Sequence, residues 1–576
     1  MTKLRFAFLI LSLSQASLVL AQADDEAAKE RRRQKTVLAE AIIGETRELR
    51  LPENRSLVLA RTGIRLWSVD QEKARELFNE AANELIAAVN LAEAERKRNP
   101  QFAYAQGQMP RPQVLDLIAQ KDADLALKAF YRTRTPDVER ALAARPAADQ
   151  RIRNVGNNDV YLVQNELNLE QRLIRAAADQ NPEKAIEFLK AALKRGVGPE
   201  VVNLLRKLHE KDAAAAATLG REAIGQLVQK NYAIGNQPDH SAFQAAFQVL
   251  NDSVRQRPAT DKSFNFAIAD IRALFDKLLS IVTDLRSTNS FQYAQQLASI
   301  AEKFRPETVA RLREASQRAP YAPFRSGQAD LVRRLSSTDT PVDQAMAEAA
   351  RLDAESRRTV YQSVANRFVQ GGDMARARQI IGEHFADTAL SSAQEALDYQ
   401  YVHYLINQGK FQEAESLIDE FPDHARFNAL ISLADGAFSR DQKENQPLSV
   451  RILQKARAGL PDRPEDSLQL QHMLRLVNAY VRIEPIEAFN IAEGLIQQIN
   501  ELSEASVVVN GFQSSHAVRM GEIVMINGGN VLMGMDYSFV RGLAQKDFDR
   551  TVAMIRAFSR RETRAQLTLN LLESYP

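Results

Sequence analysis

Nine short stretches of this chain are written to one plan, and that plan limits what the chain can fold into. They are DQEKARELF from Asp70, DADLALKAF from Asp122, NPEKAIEFL from Asn181, DAAAAATLG from Asp212, SFQYAQQLA from Ser290, DMARARQII from Asp373, KFQEAESLI from Lys410, EPIEAFNIA from Glu484 and DFDRTVAMI from Asp547. Most open on a residue whose side chain can accept a hydrogen bond from a free helix N–H. Four residues on stands a small residue: Ala74, Ala126, Ala185, Ala216, Ala294, Ala377, Ala414, Ala488 or Thr551. Three further on stands an apolar one, from Leu77 to Met554. A small residue at a helix crossing lets two backbones approach, and the residues three and four later share its face.

The text before each stretch is also helical, as in LARTGIRLW, LLRKLHE and VANRFVQ, and the break between the two is short. Glycine in that break, as in Gly371-Gly372-Asp373, suits a helix C-terminal cap. The unit is therefore an antiparallel helical hairpin, repeated. Asn181 to Asp212 spans 31 residues, Asp373 to Lys410 spans 37, and Lys410 to Glu484 spans 74, twice that period. Periods of this size indicate stacked helix pairs. Segments 98–112, 195–200, 233–241 and 303–327 hold many of the prolines and glycines and read as loops. The expected organisation is a leader over 1–21, N-terminal hairpins over 24–105, repeats over 106–235, a helical segment over 236–325, further repeats over 326–505 and a C-terminal cap over 506–576.

Within 358–421, Tyr361, Ala365 and Phe368, then Gly409-Lys410-Phe411 and Ala414, stand in the pattern of a first helix, an inter-helix turn and a second-helix alanine. This text resembles the tetratricopeptide repeat family over about two units, although the family's closing proline is mostly missing. The resemblance implies an all-α, right-handed αα-solenoid. The residues themselves add one small β-hairpin near the C-terminus. Glu522 to Met535 contains EIVMI and NVLMG around Asn527-Gly528-Gly529, a strong hairpin signal. Both faces of that ribbon are apolar, so it is expected over 522–535 across the C-terminal end of the solenoid, ahead of a last helical hairpin.

Lys3 and Arg5 followed by the apolar run Phe6–Leu20 read as a secretory leader, with small residues for cleavage at Ala21 and Ala23. A secreted or periplasmic chain is expected, with no membrane span after leader cleavage. Cysteine is absent, which rules out disulfides, a thiol nucleophile and thiolate-bound zinc. Of the 75 basic residues two lie in the leader, so the remainder balances the 73 acidic ones. Such a chain has no net field to draw nucleic acid.

No catalytic signature of the glycine-rich, nucleophile-elbow or zinc-helix kinds is present. The seven histidines (209, 240, 384, 403, 424, 472 and 516) never stand four apart as helical metal ligands do. Met520, Met525, Met533 and Met535 cluster near His516. Thioethers can hold Cu(I), but in such apolar text they more readily fill core gaps, so no cofactor or metal is expected. Trp67 is expected to seal the first hairpin. The first reading is a non-catalytic binding or scaffold protein of a bacterial cell envelope, gripping a protein or peptide on a surface lined by the first helices. Partner-contact candidates are Arg61, Arg65, Tyr361, Tyr401, Tyr404, Met533, Met535 and Tyr537. The alternative is a glycosidase-like enzyme acting on envelope polymers, with paired carboxylates in a helical cleft.

Overall fold

A computed structural model describes residues 26, 28–98, 110–142, 157–234, 237–238, 240–255, 264–284, 290–317, 326–512, 518–525 and 537–574. The leader, Met533, Met535 and the Asn527-Gly528-Gly529 turn lie outside them. The chain divides into two units. The first holds residues 1–322 and 514–528, and the second holds 323–513 and 529–574. Each is a row of helical hairpins.

In the first unit the first helices are Pro52–Leu66, Arg111–Ala119, Asn157–Gln180, Val201–His209, His240–Val254 and Ser290–Phe304, each packed on the next. Their hairpin partners include Gln71–Arg98, Ala123–Arg132, Pro182–Leu193 and Ala213–Gln229. In the second unit Ala354–Gln370, Asp387–Gln408, Asp423–Arg440, Ser467–Ile483 and Phe539–Lys546 form the same kind of row. Their partners are Met374–His384, Phe411–Asp419, Gln442–Ala458, Pro485–Phe512 and Phe548–Arg556. No helix among the described residues is long and apolar enough to cross a membrane.

The recurring small residues are where the hairpins close. All nine, Ala74 through Thr551, are fully buried at 0 % exposure. The capping logic holds beside them. Asp70, Asp122, Asn181, Asp212, Asp373 and Asp547 each accept a hydrogen bond from the backbone N–H three residues on. One stretch departs from the plan: the helix carrying Ala294 belongs to the first-helix row, because it packs on His240–Val254. Glycine serves the same close approach between first helices. A Cβ on Gly436 would overlap Ile406, and one on Gly542 would overlap Val481. Gly409 ends its helix at φ +77, a left-handed conformation that costs glycine nothing.

Two expectations are corrected. Segment 303–327 is not all loop: Pro306–Thr308 form a 3-10 turn that starts the helix Val309–Gln317, with proline where its missing donor is harmless. Segment 233–241, read as loop, contains an antiparallel pair, Ala233–Ile234 with Gln237–Pro238, in addition to the small hairpin expected near the C-terminus. The C-terminal hairpin pairs Val518–Arg519 with Glu522–Ile523 around Met520-Gly521, both at positive φ.

The expected ribbon over 522–535 lies mostly outside the described residues, and the hairpin at 518–523 is a separate one. It lies on the helix Pro52–Leu66, within the first unit. The reason is an unmet need at that helix's start. Its N-cap is Leu51, which has no capping side chain. The Glu522 carboxylate fills the gap, accepting from Arg50 N–H at 2.5 Å, Leu51 N–H at 3.3 Å and Asn54 Nδ2 at 2.7 Å. Asn54 also donates to the Ile523 carbonyl and accepts from Met525 N–H, both at 2.7 Å. Arg519 bridges Glu53 and Glu95.

Ala414→Leu should lower the chemical-unfolding stability by roughly 1–3 kcal/mol, because the added carbons have no space in the seam. The exposed Glu413→Ala should leave it almost unchanged. A second expectation concerns Glu53, which is 1 % exposed. Burial pushes its carboxyl up, Arg519 pulls it back only in part, and Glu95 and Glu522 push it further. The folded chain therefore binds this proton more tightly than the unfolded one, and stability falls as pH rises above the ordinary glutamate range. Chemical-unfolding stability should decline from mildly acidic to neutral pH. Glu53→Gln should flatten that dependence.

Candidate functional site

Two grooves run along the first-helix rows, one in each unit. The groove of the first unit, ≈ 750 Å³, is bounded by Asp116, Arg172, Arg175, Asp179, Arg206 and Lys207 among others. Its cations are occupied. Arg172 pairs with Asp116 at 2.8 Å, Arg175 with Glu200 at 3.1 Å and Lys207 with Asp179 at 2.9 Å, while Arg206 pairs with Asp252. These pairs stitch neighbouring first helices together across the groove floor.

Behind that row lies a buried polar network. Glu166 and Glu170 stand one turn apart on Asn157–Gln180 and are nearly inaccessible. Arg111 grips Glu166 through both carboxylate oxygens, at 2.7 and 3.0 Å, and Arg134 reaches it at 2.9 Å. Glu170 takes Arg195 and the Tyr131 hydroxyl, the latter at 2.8 Å. Burial, then the charge of Glu170, push the Tyr131 hydroxyl up. Arg111 and Arg134 also lie over the Phe130 ring, at 4.9 and 5.0 Å. This is the paired-carboxylate arrangement that an enzyme reading asks for, but three guanidiniums hold it. It works as a tie between successive hairpins.

The groove of the second unit, ≈ 890 Å³, is lined differently. Asn428, Ser432 and Asp435 come from Asp423–Arg440, at i, i+4 and i+7. Arg475, Asn478 and Arg482 come from Ser467–Ile483, at i, i+3 and i+7. Each set forms one helix face. Tyr399 and Ser538 close the ends. Arg475 Nη1 donates to Asn428 Oδ1 at 2.8 Å, which leaves the Asn428 Nδ2 group without a partner among the described residues. Ser538 Oγ donates to Asn478 Oδ1 at 3.1 Å and leaves Asn478 Nδ2 likewise open. Arg475 has no carboxylate partner among the described residues. Arg482 has only Asp435, at 3.5 Å, besides a hydrogen bond to Ser439. Burial pushes the Asp435 carboxyl up, and Arg482 opposes that only in part.

Arg61, Arg65, Tyr361, Tyr401, Tyr404 and Tyr537 line neither groove. Arg61 and Arg65 are half-buried on Pro52–Leu66. Tyr361 is buried and stacked on His384 at 4.1 Å. Tyr401 stacks on Tyr404 at 5.7 Å, and Tyr404 rests against Gly372. Tyr537 packs between Phe539 and Phe558, and burial pushes its hydroxyl up. Met533 and Met535 lie outside the described residues. Met520 is exposed and Met525 buried, so these two thioethers do not share a site. Trp67 stacks on Phe78 at 5.8 Å with Arg75 above it, closing the first hairpin. No group of three or more histidine or acidic residues among the described ones is placed to hold a metal ion.

No known protein-family model matches this chain, and no curated protein matches it. Among solved structures it is similar to a circular tandem repeat protein with novel repeat topology, at 16% identity over 90% of this chain and 98% of that one, with a TM-score of 0.21. Ton1535 from Thermococcus onnurineus NA1 is 12% identical over 68% of this chain and 98% of its own, with a TM-score of 0.15. A homology model of the full-length AP-3 complex in an intermediate open conformation is 10% identical over 91% and 93%, with a TM-score of 0.20. Likenesses this weak carry no functional argument.

Glu166→Ala should destabilise the protein by roughly 3–5 kcal/mol in a denaturant titration, since it strands Arg111 and Arg134 without their carboxylate. A surface change such as Glu413→Ala supplies the baseline.

Proposed function

We propose that this is a non-catalytic binding protein of the cell envelope. It is exported through the leader Phe6–Leu20, and it holds an extended segment of a protein partner in the groove of its second unit. One observation carries this reading. Two neighbouring first helices present carboxamides, Asn428 and Asn478, whose oxygens are engaged and whose amide nitrogens are left for something else. An extended segment offers main-chain carbonyls that such donors can meet without regard to its side chains. The first unit's groove supports the reading by contrast, because its ion pairs are already closed.

The test is a library of extended peptides screened against the leader-less chain. Selected peptides should crosslink to a photoreactive group placed at Ser432. Asn428→Leu with Asn478→Leu should weaken them by roughly a hundredfold, at about tenfold for each hydrogen-bonding group lost. Failure to select any peptide, or binding that ignores the double substitution, would overturn the proposal.

A further inference from the structure

The second unit's groove also carries an imbalance of charge. Arg475 and Arg482 face it from Ser467–Ile483, and Asp435 is the one carboxylate that lines it among the described residues. Asp435 serves Arg482 poorly. The 3.5 Å separation leaves Asp435 Oδ1 without a hydrogen bond, although that oxygen is buried. The Arg482 side chain stays 53% exposed. His424 also lines the groove, but it looks to Glu395 of Asp387–Gln408 at 3.7 Å. An acid held half-buried with its cation out of hydrogen-bond reach is a cost to the fold, and a groove is where such a cost can serve binding.

Resting on the reading of this groove as a docking site, we propose that its occupant is an acidic segment. Side-chain carboxylates of that segment engage Arg475 and Arg482, and Asp435 is a built-in competitor for Arg482. Arg475 offers its remaining guanidinium nitrogens, and the Asn428 and Asn478 amides hold the segment's main chain between the two cations. Asp435 repels the incoming charge and contests Arg482. Its presence therefore lowers affinity and selects for segments that satisfy both arginines at once, since one carboxylate alone gains too little to displace it.

The experiment uses the full leader-less chain and short labelled peptides with blocked ends, read by fluorescence anisotropy. One alternates glutamate with glycine, a second replaces glutamate by glutamine, and a third by lysine. A further glutamine peptide keeps its free C-terminal carboxylate. The glutamate peptide should bind about tenfold or more tighter than the blocked glutamine one. Arg475→Gln or Arg482→Gln should bring it to the glutamine level. Asp435→Asn should tighten the glutamate peptide by roughly fivefold and leave the blocked glutamine peptide unchanged. Equal binding of glutamate and glutamine peptides would overturn the acidic partner while leaving the docking reading intact. Preference for lysine, or for the free C-terminus alone, would overturn it too. Asp435→Asn weakening the glutamate peptide, or tightening both peptides alike, would overturn the competitor role. Loss of every peptide together with failure of the library screen would remove the docking reading itself.

Discussion

At nine positions among the described residues, helices meet across a side chain too small to keep them apart. At the nine recurring positions the residue is alanine or threonine and has no solvent contact. Interhelical distance is set by what stands at the crossing, within roughly 8–10 Å. The second helix of one hairpin also packs on the first helix of the next, as Met374–His384 does on Asp387–Gln408 and Gln442–Ala458 on Ser467–Ile483. A bulky residue at one crossing would therefore shift the following pair as well. Gly436 and Gly542 apply the same rule along the first-helix row.

With the apolar seams fixed, the charges fall into two kinds. Those of the first unit are closed upon one another. Arg111, Arg134 and Arg195 surround Glu166 and Glu170 inside, and the groove cations each have a carboxylate. Buried pairs of this quality contribute little net stability against an apolar core, yet breaking one is expensive, so they fix which helix face meets which. In the second unit the groove floor is left open. Arg475 meets an amide and Arg482 a poorly placed acid. The same repeated hairpin thus carries a groove closed by ion pairs in one unit and a groove with less fully paired polar groups in the other.

Much of this fold was legible because solenoid contacts are local. Cap, small residue and apolar residue fall within eight positions of one another, and the cap at Asp373 and the seam at Ala377 follow directly from the text. The Ala294 stretch misled because a small residue marks a crossing without saying which row it joins. The groove was less legible, for a geometric reason. Tyr401 was chosen for its ring, but the groove takes Tyr399, which is about 200° away around the same helix. The usable signal was the face. Arg475, Asn478 and Arg482, like Asn428, Ser432 and Asp435, are polar stripes on helices whose other sides are buried.

The hairpin at 518–523 was beyond reach of any local reading. Its turn is Met520-Gly521, which advertises a turn far less than Asn527-Gly528-Gly529 does, and its partner lies at residues 50–54, at the other end of the chain. The first N–H groups of a helix lack intrahelical partners, and the Leu51 side chain cannot cap them. The chain solves this by sending one carboxylate, Glu522, back from the far end. The solution has a cost that the seams do not share. It buries Glu53 against Arg519, and Glu522 against two backbone N–H groups and Asn54, so this corner carries buried acids, whereas the alanine seams carry none. Docking of this hairpin combines those hydrogen bonds and charges with four buried apolar side chains, Val518, Ile523, Val524 and Met525.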